Sequence, residues 1–132
     1  MWIFTKYGFF SIACANKRGS GDIDPNVVMV RSRLKEHLVN LQQRFNETDI
    51  AKLTIEDSTH TDYRYRIVMP KADWIMALSE MATEQTWRNF KNEASLFARA
   101  HKLGTRYVHA LHDIWEVMFR LQAKDDGSDV RG

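Results

Sequence analysis

The chain has 132 residues, of which 44% are hydrophobic and 27% are charged, and its formal net charge is +2 at pH 7. This length and composition predict one folded domain and exclude a mainly disordered chain. A charge so close to zero also excludes a global positive field that would draw the protein to nucleic acid or to an anionic membrane.

Three features of the sequence bear on the location of the protein. The single cysteine, Cys14, excludes an intramolecular disulfide and fits a reducing compartment. Residues 8–15 superficially resemble the apolar core and cleavage site of a short signal peptide, but the core is short and lacks a proper charged start. No apolar run approaches the roughly 20 residues that a membrane-spanning helix needs. We predict a strand here, a cytoplasmic location and no membrane partner.

The N-terminal third has the composition of strands. Residues 2–5 and 9–15 are rich in aromatic and β-branched side chains and flank Gly8, which predicts one strand with a kink or two strands joined by a turn. Residues 16–25 are turn formers and charges and predict a surface loop. Residues 26–32 predict the next strand, and the spacing of Leu34, Leu38, Leu41 and Phe45 predicts a helix that ends near residue 46.

Alternation of apolar and polar residues predicts a hairpin of residues 51–56 and 63–68. A symmetric register would place Ile55 opposite Tyr65, Leu53 opposite Ile67 and Glu56 opposite Arg64. Tyr63, Tyr65 and Ile67 would then share the buried face.

Three helices are predicted after Pro70. They cover residues 70–83, 87–101 and 105–122, and residues 123–132 form a polar, disordered tail. The first residues of the helix over 87–101 could instead form a short edge strand. In the last helix a broad apolar stripe contains Tyr107, Leu111, Ile114, Met118 and Leu121. Because such a helix is not stable alone, we expect it to lie across the sheet.

The predicted order is strand, strand, helix, strand, strand and three helices. This order predicts an α+β fold over residues 1–122, with an antiparallel sheet of about four strands and helices on one face. Its central part is close to the split β-α-β of a ferredoxin-like fold, although a final fourth strand is not evident.

Three stretches carry a resemblance to other proteins. Residues 1–11 (MWIFTKYGFFS), together with residues 111–115 (LHDIW) and 118–122 (MFRLQ), resemble the start and end of a group of small uncharacterised bacterial proteins. The resemblance implies a bacterial source and brings no activity and no site residue.

The last predicted helix contains a candidate site for chemistry. His109, His112, Asp113 and Glu116 are three and four residues apart, a spacing at which imidazole and carboxylate groups hold a metal ion or transfer protons. The same spacing is typical of a solvated helix face with ordinary pairs of polar side chains. We favour the solvated face and keep a metal-dependent enzyme as the alternative.

A second candidate is basic and aromatic. Arg31, Arg64 and Arg66 lie in neighbouring predicted strands, and residues 6–12 around Phe9 resemble the basic and aromatic run of an RNA-recognition strand. That run lies on the wrong strand for such a fold, and Glu56 offers Arg64 a partner. A nucleic-acid-binding domain is therefore an alternative that the sequence does not favour.

The preferred interpretation is a small binding domain that forms a homodimer through the uncovered face of its sheet. We assign no catalytic residue, metal or cofactor. The residues that we expect to contact a ligand or partner are Phe9, Arg31, Arg64, Arg66, His109 and His112.

Overall fold

The strands of the described chain pair into one antiparallel sheet. The computed structural model describes residues 1–125 and the side chains of residues 1–123. Within them the sheet has five strands in the order β1-β2-β3-β5-β4. The strands are β1 (Trp2–Thr5), β2 (Gly8–Asn16), β3 (Ile23–Ser32), β4 (Glu56–Asp57) and β5 (Tyr65–Pro70). The predicted α+β fold is confirmed, with five strands because the N-terminal segment turns before Gly8.

Two helices cover one face of this sheet. Helix α1 (Lys35–Arg44) contacts β2, β3 and β5, and helix α2 (Lys71–Thr83) contacts β3 and β5. Alternate residues of the three central strands point toward these helices and are buried, as the two-residue period of a strand requires. They include Phe10, Ile12, Val30, Ile67 and Met69. The opposite face, which we call the open face, has no helix of the first unit on it.

The chain divides into two compact units. The first is Met1–Thr86, and the second begins at Trp87 and contains α3 (Phe90–Ala100) and α4 (Arg106–Asp125), which contact each other. In the first unit α1 and α2 cover the sheet. The predicted contact between the sheet and the last helix, which belongs to the second unit, stays a prediction.

Helix α4 also continues three residues past its predicted end at residue 122. Residues 126–132 of the predicted tail lie outside the described residues. Among the described residues, none of the helices is both long enough and apolar enough to cross a bilayer.

The predicted hairpin is wrong in its first strand and in its register. Residues 49–52 form a short 3₁₀ helix, β4 has only two residues, and Glu56 lies opposite Arg66 instead of Arg64. The cause is a set of contacts to α1. The Gln42 side-chain amide donates to the carbonyls of Ile50 (3.0 Å) and Leu53 (2.7 Å), and Ile50 is fully buried.

Candidate functional site

A row of five residues crosses the open face from one edge of the sheet to the other. The cross-strand pairs are Glu56 with Arg66, Arg66 with Arg31, Arg31 with Ser11, and Ser11 with Trp2. We call these residues the open-face row. Each belongs to a different strand, and neighbouring strands lie ~4.8 Å apart, so the side chains stand next to one another.

Arg31 is fixed on this face by its neighbours. Its Nε donates to the carbonyl of Ser11 (3.3 Å) and its Nη2 donates to Ser11 Oγ (2.8 Å). The guanidinium carbon lies 4.9 Å from the centre of the Tyr63 ring. The Ser11 side chain lies beneath this arrangement, with a residue exposure of only 2%.

Arg66, directly opposite Arg31, is also fixed. Its Nη2 donates to Thr61 Oγ1 (2.8 Å) and to the carbonyl of Tyr63 (3.2 Å), and its Nη1 contacts Met29 Sδ at 3.7 Å. Its Nε is buried and has no hydrogen-bond partner within the described part of the chain. A buried donor without a partner is costly, so this side chain is incompletely satisfied.

The charges of Arg31 and Arg66 are not balanced by a hydrogen-bonded carboxylate. In residues 1–123 all the contacts of both guanidinium groups are with hydroxyl, carbonyl, sulfur or ring atoms. Glu56 is adjacent to Arg66 in register but forms no ion pair with it in this region. Like charges directly opposite each other on a sheet are destabilising, so the pair is an electrostatic cost to the fold.

Arg64, unlike Arg31 and Arg66, is paired with a carboxylate. Its Nε and Nη2 donate to the two carboxylate oxygens of Asp57 at 2.9 and 3.2 Å. The hydrogen-bonded Arg64 guanidinium holds the pKa of Asp57 below its usual value. The sequence paired Arg64 with Glu56, but the two-residue shift in register gives this role to Asp57.

Aromatic rings adjoin the arginine pair. The Phe9 ring stacks on Phe4 with centroids 4.6 Å apart, and it contacts the edge of Trp2 at 5.8 Å and Tyr63 at 6.4 Å. Trp2 is 70% exposed, whereas Tyr63 is only 6% exposed. Phe9, predicted as a binding residue, therefore joins Arg31 and Arg66 in one surface through Tyr63.

Tyr63 was predicted to lie on the buried face of the sheet. In the structure β5 begins only at Tyr65, so the two-residue alternation does not extend to Tyr63. Its ring lies under the guanidinium groups of Arg31 and Arg33, the latter at 4.5 Å. Trp2 was not among the predicted binding residues, because the residue type alone does not show on which face of a strand an aromatic side chain lies.

The two predicted histidines lie elsewhere. His109 and His112 are exposed on α4, in the second unit. His112 Nε2 lies 3.5 Å from Glu116 Oε1, and its ring stacks near Trp115. The described residues contain no group of three or more His, Cys, Asp or Glu side chains that could hold a metal ion. The metal-dependent alternative therefore has no such group on α4 to support it.

A partly buried polar network fixes the turn between β1 and β2. The Tyr7 hydroxyl donates to Glu84 Oε1 (2.6 Å), and Arg44 Nε donates to Glu84 Oε2 (2.8 Å). The Asn40 side-chain amide donates to the carbonyl of Tyr7 (3.0 Å). Burial, followed by the hydrogen bond to Glu84, raises the pKa of Tyr7 well above its ordinary value.

The same turn requires glycine at position 8. Gly8 has φ +155°, and a Cβ atom built there would lie 2.2 Å from His37 Cγ. The buried His37 accepts a hydrogen bond at Nδ1 from the backbone N–H of Phe9 (3.2 Å). Contacts on the covered side of the sheet therefore set the position of Phe9, whose ring is part of the open face.

Comparison of the chain with protein-family models, with curated proteins and with solved structures gave no match. The resemblance to a group of small bacterial proteins stays a prediction.

Proposed function

We propose that this protein is a small binding domain and that the open face of its sheet is the binding surface. The observation that carries this proposal is the open-face row, in which Arg31 and Arg66 stand side by side without a carboxylate partner in residues 1–123. Both side chains are fixed by hydrogen bonds, so little conformational entropy is lost when a partner binds. An electrostatic cost of this kind is typical of a surface that meets an anionic or polar partner.

The residues beside the pair support the same proposal. Tryptophan, arginine, tyrosine and methionine are enriched at interfaces. Met29 and Tyr63 contact the arginines, and Trp2 contacts Phe9 on the same face. The open face therefore combines charge with apolar rings, whereas a merely solvated face carries mainly mobile polar side chains.

Self-association through this face is a second candidate. The row contains its own counter-charge at one end, because Glu56 lies next to Arg66. A two-fold contact centred on β3 would oppose Arg31 to its own copy, which is unfavourable. A contact displaced toward β4 would instead place Glu56 against Arg66 of a second copy. We expect the homodimer, if it forms through this face, to use the displaced contact.

We also propose a ferredoxin-like arrangement for strands β2 to β5. It is supported by the position of β5 between β3 and β4, which are joined through α1. Helix α2 follows β5, and β2 occupies the outer position beside β3. Because β2 precedes β3 in the chain, the order would be a circular permutation of β-α-β-β-α-β, which accounts for the missing final strand. Cytoplasmic location stays a prediction.

Titrations followed by amide chemical shifts test the proposed surface. The probes are a single-stranded oligonucleotide, a polyglutamate peptide and the protein itself, diluted from 500 to 10 μM. We expect at least one titration to shift the amides of Ser11, Arg31 and Arg66 more than those of α1 and α2. Shifts confined to the helices, or no shift in any of the three titrations, would contradict the proposal.

Light scattering tests the second candidate. A displaced dimer gives a mass near twice 15.5 kDa, and the substitution Glu56→Lys should return it to the monomer. A dimer that is unaffected by Glu56→Lys would use another surface.

A further inference from the structure

We infer that the partner of the open face is a single-stranded nucleic acid, with a phosphate at Arg31 and Arg66 and a base against the rings around Phe9. This inference rests on the proposed binding role of the open face and adds the chemical class of the ligand. Phosphate and base occur together along every nucleic-acid strand, and the charge of the two arginines and the rings around Phe9 occur together on the open face.

Arg31 has N–H groups available to an anionic ligand. Arg31 uses its Nε and one Nη2 hydrogen for Ser11, which leaves both Nη1 hydrogens without a partner in the described residues. A guanidinium group with free N–H groups in a fixed plane matches the oxygens of a phosphate. Binding of an anion here would also relieve the repulsion between Arg31 and Arg66.

Aromatic rings lie on the same face as the two arginines. Trp2 ends the same row, two strands away from Arg31, and is largely exposed. Phe4 and Phe9 lie beside it and are half-buried. Exposed aromatic rings beside cationic groups are the elements with which proteins hold single strands, because each base presents a flat face for stacking.

A single strand fits the open face better than a duplex does. Bases in a duplex are stacked on one another and are unavailable to Trp2, so only the phosphate contacts would remain. An acidic polypeptide would satisfy the arginines but has no ring to place against Trp2. The two alternatives therefore differ from a single strand in whether Trp2 contributes to binding.

Fluorescence anisotropy with a labelled ten-nucleotide pyrimidine strand tests the inference. We expect a dissociation constant on the order of 10 μM near physiological salt, within the range for sequence-independent binding. If two phosphates are contacted, the slope of log K against log salt is about −1.4, and each substitution Arg31→Ala or Arg66→Ala should reduce its magnitude by about 0.7. Trp2→Ala should weaken binding about tenfold.

Two further substitutions serve as controls. Arg64→Ala removes an arginine whose charge is already paired with Asp57, so binding should change less than twofold. Glu56→Gln removes the anionic end of the row and should strengthen binding of the strand, whereas the same substitution should weaken the displaced dimer. Thermal melts establish that each variant is folded before its affinity is compared.

Several results would overturn the inference. They are equal binding of single and double strands, an effect of Arg64→Ala as large as that of Arg66→Ala, and no binding at 100 μM protein. If polyglutamate binds as well as the strand and Trp2→Ala has no effect, the partner is an acidic polypeptide. In that case the nucleic-acid inference fails while the open face stands as the binding surface. If none of the three amide titrations shifts the open face, both fail.

Discussion

The substitution Gly8→Ala tests the account of the β1–β2 turn. A Cβ at this position would lie 2.2, 2.4 and 2.6 Å from three atoms of the buried His37. Relief of such an overlap requires a shift in a packed region, which typically costs about 1–3 kcal/mol. The positive φ adds a conformational cost on the order of 1–3 kcal/mol for a residue that has a Cβ. We therefore expect Gly8→Ala to lower the free energy of unfolding by roughly 2–6 kcal/mol.

Substitutions at two other glycines measure the steric and the conformational contributions separately. Gly19 has φ +72° and no atom within 4 Å of an added Cβ, so Gly19→Ala should cost only the conformational part, ~1–2 kcal/mol. Gly104 has neither a positive φ nor a neighbour within 4 Å, and Gly104→Ala should change stability by less than about 0.5 kcal/mol. The double variant Gly8→Ala/His37→Gly, which removes all three of the overlapping atoms, should be more stable than the sum of the single changes predicts, by ~1–3 kcal/mol.

Urea unfolding followed by tryptophan fluorescence measures all of these variants. If Gly8→Ala costs no more than Gly19→Ala, the contact with His37 contributes nothing to the free energy of unfolding. Additive changes in the double variant would show the same.

Two other predictions concern stability. Tyr7→Phe removes a donor to the Glu84 carboxylate and should cost about 1.5–3 kcal/mol in the same assay, and a cost below about 0.5 kcal/mol would show that the hydrogen bond contributes little. Because the pKa of Tyr7 is raised on folding, its contribution is fully present below its unfolded pKa near 10 and is lost as pH rises above it. The wild type should therefore lose up to ~1.4 kcal/mol per pH unit above pH 10 relative to Tyr7→Phe, and parallel pH profiles would contradict this assignment. In the second unit, Leu111→Ala should cost about 2–5 kcal/mol because Leu111 is buried, whereas the exposed His109→Ala should stay within about 0.5 kcal/mol. Denaturant melts with the reverse order would mean that α4 buries its other face.

The sequence predicted the elements better than their partners. Periodicity identified α1, α2 and α4 because local spacing determines which face of a helix is apolar. It placed Glu56 and Arg66 on the same face as well, since a shift of two residues preserves the alternation of a strand. It did not predict the shift itself, because the shift depends on hydrogen bonds from Gln42 to a different element.

The candidate site was predicted only in part, for a related reason. Phe9, Arg31 and Arg66 were expected from their residue types and strand positions, and the structure places them on one face. The difference between Arg64 and Arg66 depends on which of them reaches Asp57, and spacing alone does not show this. Tyr7 and Glu84 are separated by 77 positions, so no local pattern indicates that they form a hydrogen bond.

The open-face row also relates ligand affinity to the integrity of the sheet edges. Its two outer residues, Trp2 and Glu56, lie on the edge strands β1 and β4, whereas Arg31 and Arg66 lie on inner strands. Edge strands open at a lower free energy than the centre of a sheet, and β4 has only two residues. Opening of β4 would remove the acidic end of the row, Glu56, and would strengthen anion binding. Opening of β1 would remove the exposed ring of Trp2 and would weaken binding of the ligand. Opening of the two edges of one sheet would therefore change the affinity for the same ligand in opposite directions.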